Sequence, residues 1–403
     1  MIIPLNKNMI GKAEKKALDK VFESGYMTMG NVTKKFENAF SKHMGVKHAI
    51  YVNSGSSANL LAFSAIQDND KFRKTNHKQK FLKQNDEIIV PAVTWSTTIW
   101  PIAQTGAKCV FVDSEPKTLQ MKVSDIKKAI TKKTKAICMV HVLGNGGYIE
   151  EVKKLCKKHN LWLIEDTCES LGVKKNNKFL GTFGDLGTFS FYFSHHITTV
   201  EGGMIVTNDD YLSNKIRSLR SHGWTRDMDD ANFYENKFPN IDPRFLFVNV
   251  GYNLRSTDIN AAIGLVQLKK LKKYNESRHK IGNIWNKEFS YLKKKNLFYP
   301  MEITKGTKAS WFGFPVICKN QKIRDMLKIH LEKNGIETRP IICGNMTKQP
   351  GIKNINHKVI GKLKGADEIM DQGIFWGSSP GMTKAEIYHV VKTVNGFFKN
   401  FNV

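Results

Sequence analysis

The chain has 403 residues, 41% of them hydrophobic, with 30 glycines, 11 prolines and a formal charge of +27. That length exceeds the roughly 250–300 residues at which single cores stop growing, so two domains are expected, and the composition excludes a disordered or fibrous chain. No apolar run reaches the ~18 residues of a spanning helix, "MIIPLNKNMIGKAEKK" carries no apolar leader, and the lysines are spread along the chain rather than gathered in a stripe. We therefore expect a cytoplasmic protein with no membrane or nucleic-acid partner, whose charge suits small anionic ligands.

In chain order, "HAIYVNSGSSANLLAFSAI" reads as a strand, a small-residue turn and a helix. Gly55, Ser56 and Ser57 present amides and hydroxyls at a helix N-terminus, where the dipole favours a phosphate; a serine-rich cap has the same look. Gln67 to Asp86, "QDNDKFRKTNHKQKFLKQND", is polar and basic and reads as a solvated insertion. Then "DEIIVPAV", "STTIWPIAQTG", "AKCVFVD", "SDIKKAIT", "AICMVHVLG", "IEEVKKLCKKHN" and "LWLIED" alternate short apolar runs with amphipathic helices. This is the pattern of βαβ units, so the fold class is α/β with a mainly parallel sheet.

"LWLIEDTCESLG" ends an apolar strand on Glu165 and Asp166. The carboxyl ends of strands in open α/β sheets face the ligand crevice, which places Asp166 to pair with a cationic ligand group; an N-cap of the next turn is the alternative. "FSFYFSHHITTVEGGM" is a strand running into a loop and a Gly-Gly turn, with His195 and His196 at the strand exit and Ser190 five residues before His195. Imidazoles titrate near neutrality, as a proton carrier must; a structural role for the pair is the alternative.

Beyond the helical stretch "INAAIGLVQLKKLKKYNESRHKIGNIWNKEF" the texture changes to a strand "WFGFPVIC", a helix "KIRDMLKIHLEKNG" closed by Gly335, and a terminal helix from "TKAEIYHVVKTV". The expected division is a large domain over 1–270 and a smaller C-terminal α+β domain over 271–403. Cys109, Cys138, Cys156, Cys168, Cys318 and Cys343 are scattered without metal spacing, so reduced thiols and no metal site are expected.

The ordered series "SGYMTMGNVTKKFENAF", "VNSGSSANLLA", "VPAVTW", "IEDTCESLG", "GTFGDLGTFSFYF", "VEGGMIVTND", "GYNLRSTDINAAIGLVQL" and "GIETRPIICGN" resembles the DegT/DnrJ/EryC1/StrS family along nearly the whole chain. These are the sugar aminotransferases among the fold-type-I pyridoxal-phosphate (PLP) enzymes. The resemblance implies an aspartate-aminotransferase-like large domain and a homodimer with composite active sites. It implies that Asp166 pairs with the pyridine nitrogen, Glu169 approaches the ring hydroxyl and Trp95 stacks on the ring. Ser190 and the Gly55–Ser57 turn would hold the phosphate, with Asn253 reaching it from the partner subunit. Arg255, two residues on, is a candidate for a glutamate carboxylate or a sugar diphosphate.

One position departs from the family pattern. Its aminotransferases carry a lysine, three residues before the paired threonines, that holds PLP as a Schiff base; here that position is His195. An imidazole forms no stable adduct of that kind but can move protons. The exchange is similar to that in the PLP-dependent sugar 3-dehydratases, which implies cycling between PLP and pyridoxamine phosphate. The implied partners are L-glutamate and a nucleotide-linked 4-keto-6-deoxyhexose, and the product is its 3-deoxy derivative. One branch of those enzymes uses an iron–sulfur cluster on four thiolates, but no cysteine stands between His195 and Cys318, so no cluster is expected. The glutamate-dependent route with GDP-4-keto-6-deoxymannose is favoured. His196 is expected to orient His195 or meet substrate. An aminotransferase that tolerates histidine and a non-catalytic PLP-binding regulator are the alternatives.

Overall fold

The apolar runs of the first half assemble into one eight-stranded sheet. It contains β1 (His48–Val52), β2 (Glu87–Pro91), β3 (Lys108–Val112), β4 (Thr134–Val140) and β5 (Trp162–Asp166), then Leu186–Ser190 and Gly203–Thr207. The structure is a computed structural model that describes residues 1–67, 72, 75, 77 and 80–399. From one edge the order is β1, Gly203–Thr207, Leu186–Ser190, β5, β4, β2, β3 and finally His357–Val359. Only Gly203–Thr207 runs against the others, so the mainly parallel α/β sheet read from the sequence is present.

Side chains alternate across each strand, and the two faces build separate cores. Ile88 of β2 and Ile164 of β5 pack with Leu61 and Ile99 from the helices Gly55–Ala65 and Ser96–Gln104. Ile89 and Leu163, one residue away in each strand, pack on the opposite face with Ile126 and Val152. Burial on both faces explains why these strands read as continuous apolar runs rather than alternating ones.

A second, antiparallel sheet of four strands orders Phe298–Pro300, Gly313–Cys318, Gly373–Gly377 and Thr338–Arg339. Its helix Gln321–Lys333 is followed by Gly335 at φ +78°, the left-handed conformation expected of a helix stop. The helix Asp258–Glu288 spans 31 residues and joins the two units: Ala261 packs in the core against β1, while Ile281 and Trp285 sit in the second core. Residue 270 falls inside that helix. The chain also crosses the division twice more, since Ile3 bridges to Ile336 and His357–Val359 pairs with β3.

Part of the polar segment 67–86 lies outside the described residues, namely 68–71, 73, 74, 76, 78 and 79. Its far end is not the solvated insertion expected. Phe81 and Leu82 are buried in the core, and the Lys80 carbonyl accepts the Trp162 indole N–H at 2.9 Å.

Candidate active site

The carboxyl ends of the parallel strands meet along one edge of the sheet, and the expected residues gather there. Asp166 ends β5. Its Oδ2 accepts from Asn59 Nδ2 at 2.9 Å and Thr98 Oγ1 at 2.8 Å, and Oδ1 accepts the Cys168 amide at 3.2 Å. The side-chain donors and the backbone donor thus use different oxygens. Asn59 is itself fixed by Thr188, whose hydroxyl donates to Asn59 Oδ1 at 2.6 Å. Because Asn59 lies one turn beyond Gly55 and Thr98 one turn beyond Trp95, Asp166 anchors both helices that carry the other candidate residues. Trp95 precedes the first turn of Ser96–Gln104 and is 57% exposed, so its ring is free to stack.

The small-residue turn is built by close approach. Ser54 caps the helix Gly55–Ala65 by accepting the Ser57 amide at 3.1 Å. A Cβ on Gly55 would lie 2.5 Å from Ser190 Cβ, and one on Gly203 would lie 2.2 Å from the Ser54 carbonyl. Glycine at these two positions lets the helix N-terminus, Ser190 and the Gly-Gly turn share one spot, where a dipole and hydroxyls suit a phosphate. Ser56 is exposed there and Ser57 is buried.

Glu169 is half-buried, and its Oε2 accepts the Leu143 amide at 2.9 Å. Desolvation, opposed by that hydrogen bond and reinforced by the charge of Asp166, pushes its carboxyl up to about 7. Glu165, its neighbour in the motif, is bound up in the scaffold. The amides of Gly181, Phe183 and Gly184 donate to it at 2.9, 2.6 and 2.7 Å, and His141 Nε2 stands at 3.1 Å.

The two histidines part company. His195 is partly exposed; its ring meets the edge of Phe312 with centroids 5.1 Å apart at 82°, and its Nδ1 is buried with no partner among the described residues. Burial and then the Arg278 charge push its imidazolium down to about 3, below the near-neutral range expected of it from the sequence, so the ring is neutral. His196 is 1% exposed, and its Nε2 donates to the Ser310 carbonyl at 2.9 Å. The expectation that it meets substrate is corrected: the fold leaves it no free face, and it bolts the loop to the second unit. Among the described residues, no group of three or more His, Cys, Asp or Glu side chains stands close enough to hold a metal ion.

Asn253 and Arg255 flank Leu254, whose carbonyl accepts the Asn53 amide at 3.0 Å close to the Gly55 turn. They line a cleft of ≈1290 Å³ that Asp166, Glu169, Ser190 and His195 do not share. Arg255 Nε donates to Asn253 Oδ1 at 3.1 Å, and its Nη2 is 3.2 Å from His222 Nε2. Two guanidiniums lie over the Trp224 ring, Arg226 at 5.1 Å and Arg255 at 5.7 Å from its centroid. Sequence reasoning missed this rack, although "SHGWTRD" with its clustered His, Trp and Arg was the available signal.

The chain matches the DegT/DnrJ/EryC1/StrS aminotransferase family over residues 8–395. It belongs to that family. Within this DegT/DnrJ/EryC1/StrS group, the chain is 39% identical to the GDP-4-keto-6-deoxy-D-mannose 3-dehydratase of Yersinia pseudotuberculosis over 381 residues, 93% of each protein. It is 31% identical to the GDP-perosamine synthase of Escherichia coli O157:H7 over 402 residues, 99% of each. A solved structure of GDP-4-keto-6-deoxymannose-3-dehydratase with a trapped PLP-glutamate geminal diamine has a TM-score of 0.89 at 37% identity, covering 97% of this chain and 100% of that one. The fold is therefore that of the fold-type-I PLP enzymes of the DegT/DnrJ/EryC1/StrS family. The strand-end carboxylate with its two supports, and the cradle that a Cβ would fill, fit a phosphorylated pyridine.

Proposed function

We propose that the chain is a PLP-dependent nucleotide-sugar 3-dehydratase. The observation that carries this reading is a neutral, partly exposed His195 where the family's aminotransferases hold PLP with a lysine. Gly55, Ser56, Ser57 and Ser190 would hold the cofactor phosphate, Asp166 the pyridine nitrogen, Glu169 the ring hydroxyl and Trp95 the ring face. When bound, PLP supplies an electron sink that makes loss of a hydroxyl next to a carbonyl-derived carbon feasible.

This chain's own residues do the rest. Asp166, held by Asn59 and Thr98, keeps a proton on the group it faces. His195 would act as general base and, once protonated, as an acid for the departing 3-hydroxyl. With no lysine there, nothing captures the aldehyde, so the site does not settle into ordinary amine transfer. Overall, GDP-4-keto-6-deoxymannose and L-glutamate give the 4-keto-3,6-dideoxy sugar nucleotide, 2-oxoglutarate and ammonia. The oxygen lost from the sugar is balanced by oxidation of glutamate.

The active unit on this reading is a homodimer. Asn253 and Arg255 line a cleft that His195 does not, a few residues along the chain from the exposed apolar side chains Phe245, Phe247 and Val250, which suit contact with a second copy. Across that contact Asn253 would complete the phosphate site, and Arg255 would meet a glutamate carboxylate or a diphosphate. Among the described residues no helix is long and apolar enough to cross a membrane. We place the reaction in the cytoplasm, where glutamate and nucleotide sugars meet.

His195→Lys tests the reading. The variant should form a covalent cofactor adduct reducible by borohydride and lose dehydration. Full dehydration by the lysine variant would overturn the role given to His195.

A further inference from the structure

Among the described residues Arg278 is a buried cation without a counter-ion. It lies in the helix Asp258–Glu288, is 1% exposed, and desolvation alone pushes it down to about 10, with no carboxylate raising it. Its Nη1 donates to the carbonyls of Trp311, Phe312 and Ser378 at 3.2, 3.0 and 3.4 Å, its Nη2 reaches Asn6 Oδ1 at 3.5 Å, and its Nε has no partner. A charge kept in the interior without a pair is costly, so its place calls for a reason.

The segment it grips is the one that touches His195. Ala309 to Phe312 crosses one face of the helix and is held there residue by residue. Ser310 Oγ donates to Asn275 Oδ1 at 3.0 Å, and His279 Nδ1 is 3.0 Å from the Ala309 carbonyl. Trp311 fills the space that a Cβ on Gly282 would occupy, at 2.3 Å. From the other side the Ser310 and Phe312 amides donate to the Gly144 and Leu143 carbonyls at 2.9 and 3.1 Å. The Phe312 ring then stands edge-on to His195 and 6.2 Å from His196.

We propose that Arg278 is a positioning residue for His195, acting through the Trp311–Phe312 backbone it clamps and the Phe312 ring which that backbone sets against the imidazole. The proposal rests on the dehydratase reading for what His195 does, but not for how His195 is held. The fixed charge has a second effect, since a cation beside a buried imidazole lowers its affinity for a proton. The other titratable groups facing the imidazole are Tyr192 and His196 on its own loop; His279 lies one residue along the helix from Arg278, and the N-terminal segment brings only uncharged Asn6, which donates to the Phe193 carbonyl.

The test uses the full-length protein with 13C-labelled histidine, with the His195 ring signals identified by their loss in His195→Asn. Phe312→Leu removes the ring and supplies the reference position without its ring current. Arg278→Met should move the His195 signals at least half of the way to that reference. It should also lower kcat roughly 10- to 100-fold, with KM for the sugar nucleotide changed less than about threefold. Arg278→Lys, which keeps the charge but not the fork, should recover part of both. His195 signals at the wild-type position and a kcat within about twofold in Arg278→Met would overturn the proposal. If that variant does not fold, wild-type kcat in Phe312→Leu would overturn it instead. The spectrum is read without substrate, so shifted signals in a protein that dehydrates no sugar nucleotide would overturn the proposed function and leave the Arg278 link standing.

Discussion

At the end of β5 and in the loop after Leu186–Ser190, two like side chains stand next to each other, Glu165 with Asp166 and His195 with His196. In each pair one member is a bolt and the other is the residue we assign to the site, but the cause differs. On the strand, the two-residue period sends Glu165 to the face of Gly181 and Phe183 and Asp166 to the face of Asn59. In the loop no period operates, and His196 is the bolt only because the Ser310 carbonyl is there to receive it. Strand geometry alone sorts the first pair; a partner from the second unit sorts the other.

Exchanging the roles is the way to break this comparison. The largest effect should come from His195→Asn, which should lower dehydration roughly 10²- to 10⁴-fold while the urea midpoint stays at its wild-type value. His196→Asn should do the opposite, costing about 1–3 kcal/mol of stability by stranding the Ser310 carbonyl and sparing kcat in the folded fraction. Equal activity losses in the two variants would erase the distinction.

On the strand, Asp166→Asn should lower kcat on the order of 10²-fold, read by the release of 2-oxoglutarate. Glu165→Gln should instead show in unfolding, by about 1–3 kcal/mol, because one carboxylate oxygen becomes an NH2 group and leaves the Gly181 amide facing a donor. A smaller effect is expected from Gly55→Ala, whose Cβ would press on Ser190. It should weaken PLP binding and cost about 1–3 kcal/mol, measured by cofactor absorbance and urea titration.

The smallest effect is on pH dependence without cofactor. The folded-state pKa of His195 is lowered to about 3 from the ordinary 6.5, so the unfolded chain binds more protons between those values. Stability from this group is lost as pH falls through that window, and His195→Asn should lose less than wild type between pH values of roughly 7 and 5. Glu169, raised to about 7 from 4.5, acts in the other direction: the folded state binds the extra proton, so its term grows more favourable as pH falls from 7 to 4.5. Glu169→Gln should remove that gain.

The parts of the fold that were legible in the sequence are those with local signals. Apolar runs punctuated by amphipathic helices marked β2 to β5, and Gly335 marked a helix stop. The Gly55 turn, Asp166 and His195 were also visible, because each ends a strand where the chain turns. What was not legible depends on distant chain segments. Phe312 and Arg278 are ordinary residues in a strand approach and a long helix, and only the packing of Ala309–Phe312 across that helix ties them to His195. Asn59 and Thr98 sit inside apolar helices, where a polar residue without solvent was the one hint of a buried partner. Phe81 and Leu82 were hidden in polar surroundings, since two apolar residues show no period.

The most direct test of the account is mass spectrometry of the sugar nucleotide after incubating the protein with PLP, L-glutamate and GDP-4-keto-6-deoxymannose, with CDP-4-keto-6-deoxyglucose in a parallel tube. The account predicts a GDP-sugar product lighter by one oxygen, with equal amounts of 2-oxoglutarate and ammonia. A product in which an amine has replaced the ketone would contradict it and make His195 a tolerated substitute in an aminotransferase.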